Sequence, residues 1–194
     1  MRTHPLLSSV NRIRGFTLIE LMVVLGIAAI LLGIGVPSFR TLLQNQRLTT
    51  TVNEFFSAVN LTRAEAIKAG LRVDMVPADA DATDWTQGWI VFIDDNDNQK
   101  PDAGERIIQK HEQVPDGIAI DSKFTDSAAA TKYISYNGTG RTQTNAGSQS
   151  PQSGTVSFTQ DASIRRIKLN FIGRPRVCNP VTEPVTCTAT ADSK

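Results

Sequence analysis

The stretch RGFTLIELMVVLGIAAILLGIGVP, Arg14 to Pro37, organises the reading of the whole chain. From Phe16 to Val36 it runs 21 residues with Glu20 as its only ionisable side chain, long enough as a helix to cross a hydrocarbon core of about 30 Å. Arg2, Arg12 and Arg14 precede it, and no acid occurs among the first 15 residues. The positive-inside bias therefore keeps the amino terminus cytoplasmic and sends the rest across the membrane. A removable secretory signal fits poorly, because the apolar run ends in Gly-Ile-Gly-Val-Pro-Ser-Phe without an Ala-x-Ala type cleavage site. An uncleaved anchor leaves Glu20 unexplained, since a carboxylate within a span wants a partner. A cut between Gly15 and Phe16 supplies one: Glu20 then lies one helical turn from a new amine, at the positive end of the helix dipole.

Working outward, Pro37 is a natural bend in the helix, and the helical period continues through Leu48, Val52, Phe55, Phe56, Val59, Ala66 and Ile67 until Gly70 stops it. The 54 residues from Phe16 to Ala69 would extend about 80 Å, with the first half packing laterally in a membrane or filament and the second half docking on a head. Beyond Gly70 short β-rich runs follow at residues 71–76, 89–94, 106–111, 118–120, 132–136, 155–158 and 165–178, the last broken near Gly173. The expected fold class is α+β, one long amino-terminal helix packed by its apolar stripe on an antiparallel β-sandwich head. Residues 137–154, rich in Gly, Ser, Thr, Gln and Asn, carry no aliphatic larger than Ala and predict a mobile loop that buries little. Trp85 and Trp89 read as core residues rather than ligand platforms.

Length and composition narrow the class. With 194 residues, 40% apolar and 20% charged, the chain is neither disordered nor collagen-like, and two cysteines are too few for a disulfide scaffold. A net charge of +1 excludes a uniformly basic nucleic-acid coat, but the charge is segregated. Between Asp74 and Asp126 thirteen acids face Lys100, Arg106, Lys110 and Lys123, a balance of −9; from Arg141 to Cys178 the balance is +5.

The residues from Arg14 to Met22 resemble those of type IV pilins and type II secretion pseudopilins, whose basic leader ends in Gly before Phe-Thr-Leu-Ile-Glu. The resemblance implies a leader over residues 1–15, a transmembrane helix half over 16–39 and a periplasmic head over 40–194. It further implies cleavage after Gly15 by a prepilin peptidase, methylation of the Phe16 amine, and a role for Glu20 in pairing with that amine on a neighbouring subunit during assembly. Asn60 to Lys68, Gly88 to Asp94 and Gly173 to Arg176 extend the similarity to the FimT/GspH branch, minor subunits with β-sandwich heads. The expected location is the inner membrane, with the head in the periplasm and later in the filament.

No enzymatic constellation is visible, nor is a cofactor implied: the sequence lacks Gly-x-Ser-x-Gly, His-Glu-x-x-His, a Walker loop and Cys-x-x-Cys. Asp94, Asn96, Asn98, Lys100, Asp102 and Glu105 match calcium-loop spacing, but Gln99 stands where the turn wants Gly and the flanks read as strands, so no metal is assigned. Cys178 and Cys187 enclose eight residues and are expected to pair in an oxidising periplasm, a tether of about 2 to 3 kcal/mol.

Strand alternation places Ile167, Leu169 and Phe171 on one face and Arg166, Lys168 and Asn170 on a solvent-facing one. Gly173 ends this strand, and Pro175 stiffens the backbone between Arg174 and Arg176. Two readings of this segment stand on chemistry alone: forked phosphate binding by the two guanidiniums, or a solvated strand end paired with the acidic half of the head. The resemblance favours the first, because Gly-Arg-x-Arg here looks like the DNA-binding motif of FimT-like minor pilins. The implied function is nonspecific capture of double-stranded DNA for natural transformation through Gly173, Arg174 and Arg176, aided by Arg166, Lys168 and Arg141. Five phosphate contacts would give a salt slope of roughly −4.5. The alternatives are a GspH-like pseudopilin of type II secretion and a minor pilin that only primes or caps the filament through other pilin subunits.

Overall fold

A computed structural model of the chain describes residues 15–126, 131–145 and 150–191; the expected leader lies outside these except for Gly15. The chain divides into two compact units, the first ending at Leu42 and the second starting at Leu43. One helix, α1 (Leu18–Ala69), contributes to both.

In the first unit α1 is apolar around its whole circumference from Leu21 to Val36, and Leu18, Ile19, Val23, Leu25, Ile30 and Leu32 are all exposed. A helix apolar on every side needs a nonaqueous surrounding, and this one is long and apolar enough to cross a membrane. Its start is fixed by a reciprocal cap: Thr17 N and Oγ1 donate to Glu20 Oε2 at 3.0 and 2.9 Å, and Glu20 N donates to Thr17 Oγ1 at 3.3 Å.

In the second unit the remaining turns of α1 bury Leu48, Val52, Phe55, Val59 and Ala66, as the period predicts, together with Ala58, whereas Phe56 is only partly buried and Ile67 is exposed. The helix ends at Ala69, where Gly70 takes a φ of +66° and donates its N–H to Ala66 O. Eight strands follow: β1 (Val73–Pro77), β2 (Trp89–Ile93), β3 (Ile107–His111), β4 (Ala119–Phe124), β5 (Ile134–Tyr136), β6 (Gly154–Gln160), β7 (Ser163–Leu169) and β8 (Pro175–Cys178). They form two four-stranded antiparallel sheets, ordered β3-β2-β1-β5 and β4-β6-β7-β8. Phe55 from α1 joins the layers: its ring meets Trp85, Trp89 and Phe158 edge-on at 5.1, 5.0 and 5.2 Å. Both tryptophans are buried in this core.

The polar stretch after β5 departs from expectation. Residues 146–149 lie outside the described part, but Thr142, Gln143, Thr144, Gln152 and Ser153 are buried. The stretch buries hydrogen bonds in place of aliphatic area: Gln143 N donates to Ser135 O, Thr142 Oγ1 to Gln152 O at 2.6 Å, and Gln152 Nε2 to Tyr133 O at 3.1 Å. Polar side chains tolerate burial when so paired.

A second polar feature is ionic. The Arg72 fork meets both carboxylate oxygens of buried Asp74 at 2.9 and 2.8 Å, lies 3.6 Å from Asp94 and donates to Asp97 at 3.1 Å. Burial pushes the Asp74 carboxyl up to about 7, against the pull of Arg72. The acidic loop beside it is tied to itself. Asp94 accepts from Asn98 N and Gln99 N, Asp102 from the Asn96 and Asn98 amides, and Glu105 from Asp95 N and Asp102 N.

Candidate nucleic-acid interface

The basic segment lies on β7 and β8, whose register sets Arg166 opposite Cys178, Lys168 opposite Arg176, and Leu169 opposite Pro175. The expected core positions Ile167 and Leu169 are buried. The opposite face differs from expectation, for it is covered by the carboxy-terminal segment. Arg166 Nη1 donates to Cys187 O at 2.6 Å and its Nε to Ser157 Oγ at 3.2 Å, while Lys168 Nζ donates to Thr188 Oγ1 at 2.9 Å. Two more bonds fix the strap across β6: Thr155 Oγ1 to Thr190 O and Ser153 Oγ to Ala191 O, both 2.7 Å. Lys168 is left only 5% exposed, so it is not the solvent-facing cation that alternation predicts. Alternation identifies the face; it carries no information about what lies over it.

Cys178 and Cys187 are joined by a disulfide, their Cα atoms 5.8 Å apart, which fixes the root of the strap. Within the loop so closed, Glu183 N donates to Asn179 O and Cys187 N to Glu183 O, both at 2.9 Å. Arg176 binds this loop through Nη1 to Glu183 and through Nη2 to Thr186 O at 3.1 Å. Its hydrogen bond holds the Glu183 carboxyl below the ordinary value for glutamate. Arg176 stays exposed but already has a counterion.

At the β7–β8 turn the situation reverses. Gly173 N donates to Asn170 O at 2.9 Å, and Asn170 Oδ1 accepts from Ile172 N and Arg174 N at 3.2 and 2.9 Å. Gly173 has a φ of +82°, and a Cβ there would lie 2.7 Å from the Tyr136 ring and 2.8 Å from Gly140 O. Only glycine allows both the left-handed backbone and this approach. The Tyr136 hydroxyl, buried and held protonated by that burial, donates to Gly173 O at 2.9 Å. The β7–β8 turn is thereby packed on the turn at residues 137–142, which carries Arg141 next to Gly140. Arg174 and Arg141 are exposed, and among the described residues neither guanidinium has a hydrogen bond or ion pair. Phe171, expected to face the core with Ile167 and Leu169, leaves the strand at this turn and is 45% exposed.

The sequence-derived residues thus separate into two groups. Gly173 and Arg174 lie on the β7–β8 turn and Arg141 on the turn packed against it, with Arg176 on the adjoining strand; Arg166 and Lys168 hold the strap. Sequence reading misses the positioning roles of Tyr136 and Asn170, for which no local signal exists. It also misses the Thr17 cap, although Thr-x-x-Glu ahead of an apolar run is a recognisable capping pattern. Among the described residues no group of three or more His, Cys, Asp or Glu side chains is arranged to hold a metal ion.

Comparison with known proteins extends these findings. The family model described as prokaryotic N-terminal methylation motif matches residues 10–36. The pilin-like protein PilA1 of Thermus thermophilus is 36% identical over 100 residues, covering 50% of this chain and 59% of that protein. Prepilin peptidase-dependent protein D of Escherichia coli is 55% identical over 42 residues, 22% of this chain and 29% of that one. The chain thus spans under two thirds of the length of these relatives. The crystal structure of the type IV minor pilin FimU of Pseudomonas aeruginosa aligns with a TM-score of 0.55 at 14% identity, covering 77% of this chain and 97% of that one, and shares its fold. The methylation-motif match falls on the start of the helix that is long and apolar enough to cross a membrane. The model described as type II transport protein GspH matches residues 51–173, more than half of the sequence, and the chain belongs to this GspH family within the type IV pilin and pseudopilin superfamily.

Proposed function

We propose that this chain is a minor pilin whose head captures extracellular double-stranded DNA without sequence preference, for uptake in natural transformation. In this reading prepilin peptidase cuts after Gly15, Phe16 is methylated, and residues 16–39 anchor the chain in the inner membrane. The head, residues 40–194, stands in the periplasm and then in the filament. Glu20 exchanges its Thr17 cap for the amine of a neighbouring subunit during assembly. Pilins and pseudopilins are structural subunits, and the role proposed is binding without catalysis.

The observation that carries the DNA reading is the pair of guanidiniums, Arg174 and Arg141, exposed and without a partner among the described residues, on two turns whose backbones pack together at Gly173 and Gly140. Phosphates satisfy such groups without reading bases, which accounts for sequence tolerance. Arg176 joins them by exchanging Glu183 for a phosphate, whereas Arg166 and Lys168 are assigned to the strap. A mobility-shift titration with the mature protein in detergent tests this. Binding of any duplex at low salt, weakened when Arg174 and Arg176 are replaced by Ala, is expected. Absence of binding, or equal binding by the variant, contradicts it.

The GspH match over residues 51–173 favours a second reading, a type II secretion pseudopilin whose head contacts other subunits. Under that reading the same variant impairs secretion or filament assembly and leaves no DNA phenotype.

A further inference from the structure

The β7–β8 turn displays two large apolar side chains that the fold does not use. Phe171 is 45% and Ile172 55% exposed, at a position where turn chemistry ordinarily selects Gly, Asn, Asp, Ser or Pro. Their backbone, in contrast, is held from several sides. Asn170 Oδ1 accepts from Ile172 N and Arg174 N, the Thr142 hydroxyl, whose proton goes to Gln152 O, packs 3.4 Å from Phe171 O, and Tyr136 fixes Gly173 O. A firmly held tip presenting an aromatic ring and an aliphatic side chain, beside the uncompensated guanidiniums of Arg174 and Arg141, combines the two elements of a single-strand binding site: a stacking surface and cations for the backbone. A protein partner would have to bring carboxylates to both arginines as well as an apolar pocket for the tip, and the test below separates that occupant from DNA.

We propose that Phe171 and Ile172 form a base-stacking element that engages unpaired bases at single-stranded tails or frayed ends, while Arg174 and Arg141 hold the flanking phosphates. This rests on the DNA-binding reading above and adds a preference to it: DNA with an open end is held more tightly than blunt duplex.

The test uses the mature full chain in detergent with two probes, a blunt duplex and the same duplex carrying a single-stranded tail that contains 2-aminopurine. Wild type should bind the tailed probe about tenfold more tightly, as one stacked base provides, with a change in 2-aminopurine fluorescence. Replacing both Phe171 and Ile172 by Ala should bring the tailed probe down to blunt-duplex affinity without altering the salt slope, since no charge is removed. Phe171→Trp should keep the preference. Equal wild-type affinity for the two probes, or a preference that survives the double replacement, overturns the stacking element while leaving phosphate binding intact. So does a double variant that binds DNA normally but is lost from filaments, which would make the tip a subunit contact. If neither probe binds at low salt, the DNA-binding reading fails and the stacking element with it.

Discussion

Two stretches of the head carry the same kind of charge and use it differently. Along β7, Arg166 and Lys168 are covered by residues 187–191 and bonded to them; Arg174, on the turn after β7, and Arg141, on the turn packed against it, face solvent with no partner among the described residues. The difference teaches that positive charge in a sequence does not by itself mark a binding surface. Partnered, shielded charges act on folding, because removing one leaves buried groups without partners. Exposed, unpaired ones contribute little to folding and remain available to a ligand. Substitutions that separate stability from DNA affinity therefore probe this comparison directly.

The largest stability effect is expected at the most deeply buried charge. Asp74 has an ordinary value near 3.8 when unfolded and about 7 in the folded head. The folded state thus keeps a proton that the unfolded chain loses across that interval. Stability from this group is fully present below about pH 4 and is lost as pH rises towards 7, a change of up to about 4 kcal/mol. When Asp74 is protonated, Asp94 and Asp97 keep the Arg72 charge paired. Thermal melts across this range should show the decline, and Asp74→Asn should flatten it. DNA affinity, referred to folded protein, should not follow the same curve.

Next in size is the disulfide. Replacing Cys178 and Cys187 by Ser should destabilise the head by about 2 to 3 kcal/mol through loop entropy. It should also loosen the strap over Arg166 and Lys168, so DNA binding should strengthen and its salt slope steepen. Unchanged affinity in this variant would mean that the strap stays in place through its hydrogen bonds alone. Gly173→Ala follows at about 2 kcal/mol, from a left-handed φ and contact with Tyr136 and Gly140. Because Arg174 and Arg141 then move apart, affinity should fall although no charge is lost. Lys168→Ala is smaller, about 1 kcal/mol in a melt, with DNA binding unaffected.

Much of this architecture is legible in the sequence, for identifiable reasons. The period of α1 and its stop at Gly70 come from regular apolar spacing, and the strand runs from β-rich segments between turns. Phe171 is misplaced because alternation extrapolates one residue past the point where Asn170 closes the turn. The strap is invisible because residues 187–191 have no period and no aliphatic larger than Ala; the disulfide at Cys187 and the carbonyls and hydroxyls bonded to Arg166, Lys168, Thr155 and Ser153 hold them. The polar stretch after β5 misleads similarly, since Thr142 and Gln152 enter the interior through hydrogen bonds that composition does not reveal. The proposed site residues Gly173, Arg174 and Arg176 come from Gly-Arg-x-Arg, whereas the packing of the turn that carries Arg141 depends on Tyr136, whose bond to Gly173 spans 37 residues.

The most direct measurement of the central claim is the salt dependence of duplex binding by three proteins: wild type, the Arg141→Ala/Arg174→Ala variant and the Arg166→Ala/Lys168→Ala variant. With Arg174, Arg141 and, once released from Glu183, Arg176 as the contacts, log affinity against log salt should have a slope of roughly −2 to −3, shallower than five contacts would give. Removing Arg141 and Arg174 should reduce its magnitude by about 2 with little change in melting temperature. Removing Arg166 and Lys168 should lower the melting temperature and leave the slope unreduced. A wild-type slope near −4.5 that falls equally in both variants would contradict the account, because the covered arginine and lysine would then be touching DNA as well.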